Sequence, residues 1–131
     1  MYESKMISIA IDRDWREIYE AIWRPERFPE WASGLSKSTL SKQGDAWKAA
    51  GPEGQVRIAF TGHNAYGVMD HTVTLEDGTQ AYVPFRVIRN AEGAEVQFTL
   101  FRLPGMSDEK FAADAEWVMR DLQALKALVT K

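Results

Sequence analysis

The sequence predicts an α+β domain in which a curved antiparallel sheet closes on one long C-terminal helix. Two observations carry the prediction. From residue 107 to the end the chain reads as a single amphipathic helix, and residues 39–102 read as short alternating runs joined by tight turns. A helix that follows a run of hairpins buries its apolar stripe against the sheet those hairpins build. A hollow between two such layers is a natural place for a ligand.

The elements follow in order. Ile7, Ile9 and Ile11 alternate with Met6, Ser8 and Ala10, so residues 3–11 form a first strand with its isoleucines inward. Asp12 is the expected cap of a helix, with Asp14 and Glu17 supporting its positive end. Trp15, Ile18, Tyr19 and Ile22 share one face of that helix. Pro25 suits the first turn of a second short helix, which runs to about residue 33 and is broken by Gly34.

Strands are expected over residues 39–42, 46–50, 55–61, 66–75, 79–89 and 95–102. Gly51-Pro52-Glu53-Gly54, Glu76-Asp77-Gly78 and Asn90-Ala91-Glu92-Gly93 are the turns between them. With the first strand, these make a seven-stranded sheet. In the terminal helix Phe111, Ala115, Val118, Met119, Leu122, Leu125 and Val129 fall within one sector of roughly 120°. Ser107 is its expected N-cap, Asp108 and Glu109 occupy the first turn, and Lys126 and Lys131 lie near the negative end. The helix is roughly 35 Å long at ~1.5 Å per residue, enough to cross a small domain.

The 131 residues fit one domain, residues 1–131, with no repeat, low-complexity segment or linker. A net charge of −3 without any basic run argues against nucleic acid and anionic membrane as partners. The absence of cysteine removes disulfides, thiolate metal sites and a thiol nucleophile. The first residues lack a cleavable apolar segment, and no run is long enough to span a membrane, so a cytoplasmic protein is expected. Two histidines eight apart make a poor metal site, and no phosphate loop or dinucleotide fingerprint is present. Neither metal nor cofactor is therefore expected. Five Trp, six Phe and four Tyr supply either a well-stocked core or an aromatic-lined pocket.

Several stretches carry a family resemblance. Ile9-Ala10-Ile11-Asp12 leads into Trp15-Arg16-Glu17-Ile18-Tyr19, followed by the corner Pro25-Glu26-Arg27-Phe28-Pro29-Glu30-Trp31. The terminal helix contributes Asp121-Leu122-Gln123-Ala124-Leu125-Lys126, and residues 64–73 and 98–106 match in kind. Together these resemble the START and birch-pollen-allergen (SRPBCC) superfamily, with the nearest likeness to its uncharacterised bacterial members of polyketide cyclase/dehydrase type. Arg24 departs from the pattern, where members commonly carry a small acidic residue. The resemblance implies a helix-grip fold with a hollow for an apolar or aromatic small molecule, lipid- or polyketide-like. It implies no catalytic set, because members include carriers, cyclases, dehydratases and proteins that act on other proteins.

Strand parity gives candidate site residues. His71 falls on the apolar row Met69, His71, Val73, Leu75, while Asp70, Thr72 and Thr74 point to solvent. Phe85 and Phe98 lie on the inward rows of their strands, and Arg102 continues the last row to the cavity's end. Trp31, Trp47, Tyr66 and Trp117 line the pocket or fill the core, and Met119 and Leu122 face it from the helix. Trp117 lies off the main helix stripe and suits a structural or interface role, and His63 is expected in an exposed turn. His71 is either a structural histidine or a general base and ligand-orienting group. Three functions stay open: a carrier of a small apolar molecule, a cyclase/dehydratase using His71 as base, and a protein-interaction module. Monomer and homodimer are equally compatible with the sequence.

Overall fold

A computed structural model of the chain describes residues 1–33, 40–51 and 54–130. Gly34, Thr39, Pro52, Glu53 and Lys131, named above as breaker, strand start, turn and helix-end residues, lie outside that range. Strand β1 (Ser4–Ile11) pairs antiparallel with β8 (Gly93–Phe101), placing Ile7 opposite Phe98 and Ile9 opposite Val96. β8 pairs on its other side with β7 (Phe85–Asn90). A second antiparallel sheet runs β2 (Ser41–Gln43), β3 (Ala46–Gly51), β4 (Gly54–Phe60), β5 (His71–Thr74) and β6 (Gln80–Val83). Among the described residues there are thus eight strands in two sheets, where one seven-stranded sheet is expected from sequence.

Pro84 explains the extra strand. Proline has no N–H for the ladder, so the run expected over residues 79–89 breaks there. β6 stays in the five-stranded sheet and β7 joins the three-stranded one. The Pro84 carbonyl accepts from the Thr99 N–H at 3.0 Å, which stitches the two sheets at the break. The run expected over residues 66–75 also shortens. Asn64 Oδ1 accepts from the N–H groups of Tyr66 and Val68, and its Nδ2 donates to the carbonyls of Gly62 and Val68. These bonds tie residues 62–68 into a loop, and the regular ladder begins only at His71. Gly67 sits in that loop at φ +71, and a Cβ there would lie 2.2 Å from the Val87 carbonyl oxygen.

Helix α1 (Trp15–Ile22) is capped by Asp14, whose carboxylate accepts from the N–H groups of Arg16 and Glu17. The expected cap, Asp12, lies two residues too early. A 3₁₀ helix (Pro25–Glu30) follows, with Pro25 in its first turn as its sequence predicts. Helix α2 (Asp108–Val129) is capped by the Ser107 hydroxyl, which accepts from the Lys110 N–H. Phe111, Ala115, Leu122, Leu125 and Val129 are buried, and Val118 and Met119 pack against the same core. α1 and α2 cover mainly β1, β7 and β8. A smaller cluster, Leu40, Ala49, Val56 and Ile58, lines the inner face of the five-stranded sheet. Among the described residues, no helix is long and apolar enough to cross a membrane.

Candidate functional site

A cavity of about 290 Å³ lies between the two apolar clusters, open on one side. The 3₁₀ helix and the residues after it supply Phe28, Trp31 and Ala32. The second sheet supplies Val56, Ile58, His71, Val73 and Leu75, β8 supplies Phe98, and α2 supplies Trp117 and Asp121. Among the residues that line it, only His71, Asp121 and the two tryptophans carry polar side-chain atoms. A larger depression elsewhere is lined by Gln43, Lys48, Gln55, Arg57, Thr74 and Glu76 together with Val56 and Leu75, and so mixes charged and apolar groups.

His71 opens β5 and is buried. Phe28 meets its ring edge-on at 5.6 Å, Phe60 lies at 5.6 Å and Phe85 at 6.3 Å. Burial in this aromatic cage pushes its pKa below the ordinary histidine value, against the hydrogen bond to Met69 and the nearby Asp70 charge. The ring is therefore neutral at pH 7. Its Nδ1 lies 3.0 Å from the Met69 carbonyl oxygen. A carbonyl can only accept, so Nδ1 carries the proton and Nε2 presents a lone pair.

Asp70 corrects the expectation of a solvated side chain. It leaves the opposite face from His71, yet it is buried there. Oδ1 accepts from the Phe85 N–H at 2.8 Å and from Arg86 Nε at 3.2 Å, and Oδ2 accepts from Arg86 Nη2 and the Tyr82 hydroxyl, both at 2.8 Å. Burial alone would raise the Asp70 pKa. The bonds from Arg86, Phe85 and Tyr82 outweigh it and hold the carboxyl below its usual range. This anchor fixes the start of β7, and with it Phe85, which packs 5.3 Å from Trp31.

Trp31 is 5 % exposed, and its indole N–H has no acceptor among the described residues. Trp23 shares that property, but it stacks on His63 away from the cavity. At the mouth, Trp117 Nε1 donates to the Ser33 hydroxyl, and Ser33 donates through its N–H and hydroxyl to Asp121 Oδ1 at 3.1 and 2.7 Å. This chain joins the end of the 3₁₀ segment to α2. Half-burial raises the Asp121 pKa, and the Ser33 bonds and neighbouring Arg120 only partly offset that.

Of the candidate ligand residues, the structure brings Trp31, His71 and Phe98 to the cavity. Phe85 and Leu122 are fully buried in the main core, Met69 is buried beside them, and Met119 packs on that core. Trp47 pairs with Ile58 across the ladder and packs on the smaller cluster beyond the lining. Tyr66 is a correction: the Asn64 loop turns it outward, and it is 77 % exposed. Arg102 is a second one. Its guanidinium binds Asp108 at 2.6 Å, Glu3 at 3.3 Å and the Met106 carbonyl at 3.0 Å, so it pins the start of α2 to β1 rather than reaching a ligand. Phe28 and Phe60 were not singled out from sequence, although Phe28 and Trp31 stand three apart, the spacing that puts two rings on one side of a 3₁₀ turn. Among the described residues no cluster of His, Asp and Glu could hold a metal ion.

No family model and no curated protein matches the chain. Solved structures do match over nearly its whole length. An uncharacterised protein from Bacillus thuringiensis superposes with TM-score 0.77 at 15 % identity, covering 98 % of this chain and 100 % of its own. A START-superfamily protein from Mycobacterium smegmatis gives 0.74 at 13 % identity, covering 96 % of each chain. Ara h 8.0201 gives 0.71 at 13 % identity, covering 98 % of each. At such identities the likeness is one of fold. With its antiparallel sheets, its long terminal helix and these neighbours, the chain adopts the helix-grip fold of the START and birch-pollen-allergen superfamily.

Proposed function

We propose that the protein binds a small apolar or aromatic ligand, lipid- or polyketide-like, in the cavity between the second sheet and α2. The observation that carries this is His71: a neutral imidazole in an aromatic cage, lining an apolar hollow, with Nε2 free to fix a ligand's polar end. Nδ1 is committed to the Met69 carbonyl, which leaves Nε2 as the nitrogen for a ligand. Phe28, Trp31 and Phe98 supply flat apolar walls, which suit a ring system better than an extended chain.

Ala32 tests the reading, because it lines the cavity and is only partly buried. Ala32→Trp fills the hollow from its rim. Native mass spectrometry of protein from its native host is expected to show a small non-covalent adduct on the wild type and its loss in Ala32→Trp. A wild type without adduct, or one retained equally by the variant, overturns the proposal.

The same lone pair favours a second reading, a cyclase or dehydratase in which Nε2 removes a proton next to a carbonyl. A carrier loses affinity in His71→Phe. An enzyme loses turnover with little change in binding.

A further inference from the structure

The side-chain donors that line the cavity are committed or closed off. The Trp117 N–H goes to the Ser33 hydroxyl, the His71 Nδ1 proton goes to the Met69 carbonyl, and the Trp31 N–H is sealed in the core. What the described lining leaves over accepts: the His71 Nε2 lone pair and the Asp121 carboxyl. Both Ser33 bonds end on Asp121 Oδ1, at 3.1 and 2.7 Å, and Oδ2 has no hydrogen-bond partner among the described residues. Trp117 and Asp121 stand one helical turn apart on α2 and share the Ser33 hydroxyl, so indole and carboxyl lie side by side at the mouth. Trp117 is 38 % exposed there. Among the described residues no Lys or Arg lines the cavity, and Arg120, whose charge acts on Asp121, is exposed and outside the lining.

We propose that the cavity takes an aromatic molecule of one or two rings that carries a protonated amine, with the rings between Phe28, Trp31 and Phe98 and the ammonium at the mouth beside Asp121 and Trp117. The proposal rests on the ligand-binding reading and deepens it. An ammonium donates and cannot accept, which matches a lining whose remaining polar atoms are acceptors. It is drawn to the carboxylate by charge and to the indole by the negative face of the ring. At the mouth it keeps part of its water, so the cost of desolvating it stays small. A carboxylate ligand would instead set two like charges in one half-buried space with no cation from the described lining. An alcohol gains the apolar walls but neither of the attractions to charge. About 290 Å³ lies at the small end of ligand pockets, typically ~300–1,000 Å³, which favours two fused rings over a sterol or a long acyl chain. The raised pKa of Asp121 has its origin in a mouth that disfavours a lone negative charge, and a cation beside it relieves that.

Isothermal titration calorimetry at about pH 7.5 with 2-naphthylmethylamine, 2-naphthylmethanol and 2-naphthoate tests the order directly, since the three share their rings and the amine is protonated at that pH. The wild type is expected to bind the ammonium about fivefold or more tighter than the alcohol and about tenfold or more tighter than the carboxylate. Asp121→Asn keeps the shape and an acceptor for Ser33, and is expected to close most of the gap between ammonium and alcohol. Trp117→Leu removes the ring and is expected to narrow that gap by about threefold. The wild-type order decides the matter even where a variant fails to fold. An ammonium bound no tighter than the alcohol, or a gap that persists in full in Asp121→Asn, overturns the charge selectivity and leaves ligand binding standing. Binding of none of the three overturns the ligand reading as well.

Discussion

Asp70 and His71 are chain neighbours with opposite duties, because successive strand residues leave on opposite faces. His71 turns into the cavity, while Asp70 turns out and gathers Arg86, Tyr82 and the Phe85 N–H. Replacing Asp70 by Ala orphans the buried Phe85 N–H and frees Arg86. A loss of about 2–4 kcal/mol is expected at pH 7, read from urea unfolding midpoints. The pH dependence has a definite sign. The folded-state pKa of Asp70 lies below its unfolded value of about 3.9, so its stabilisation is fully present above about pH 5 and is lost as pH falls through the folded value. The gap between wild type and Asp70→Ala should therefore narrow below about pH 4. A gap unchanged between pH 7 and pH 3 would show that the carboxylate's charge contributes nothing.

Element boundaries show what the sequence could and could not disclose. The apolar stripe of α2 was legible because seven residues at helical spacing leave little freedom, and Ser107 sits where a cap belongs. The inward rows of β1, β7 and β8 were legible for the same reason, with period two. Pro84 broke a strand that alternation alone ran through, although its missing N–H was in plain view. Gly93 looked like a turn glycine. In the structure Ala91 takes the left-handed conformation at φ 52, and Gly93 is required because a Cβ would lie 2.7 Å from the Ile11 carbonyl oxygen. That constraint comes from a strand some eighty residues away in sequence, so no local pattern could reveal it. The same holds for Asp70 and Arg102, whose placement depends on partners from other elements, whereas Tyr66 is turned outward by the local Asn64 loop. The start of α1 gives a clean test, since Asp12 and Asp14 compete for one role and only Asp14 accepts from the helix N–H groups. Asp14→Ala is expected to lower stability by about 1 kcal/mol, and Asp12→Ala by no more than about 0.3 kcal/mol, both read from thermal unfolding. The reverse order would place the cap at Asp12.

At the scale of the whole molecule, the cavity divides two unequal halves. α1 and α2 cover β1, β7 and β8 and bury most of the large side chains, including Phe85, Ile11, Ile18, Ile22, Leu122 and Leu125. Among the described residues the cluster against the five-stranded sheet holds four buried residues, the sheet's Val83 joins the main core instead, and much of the sheet's inner face borders the hollow. Burial of apolar surface is the main stabilising term, so free energy of opening should follow this division. Backbone amides of β3 and β4 are expected to exchange hydrogen at least ~10-fold faster than those of β1 and β8, measured by hydrogen–deuterium exchange with mass spectrometry. A ligand in the cavity adds apolar contacts to Val56, Ile58, Val73 and Leu75 of the weaker half, whereas among the described residues the strands β1, β7 and β8 contribute only Phe98 to the lining. Binding should therefore slow exchange in β4 and β5 while leaving β1 and β8 nearly unchanged. Uniform protection of both sheets in the free protein, or an equal effect of ligand on both, would mean that the hollow does not separate two cooperative units and that the terminal helix stabilises the second sheet as strongly as the first.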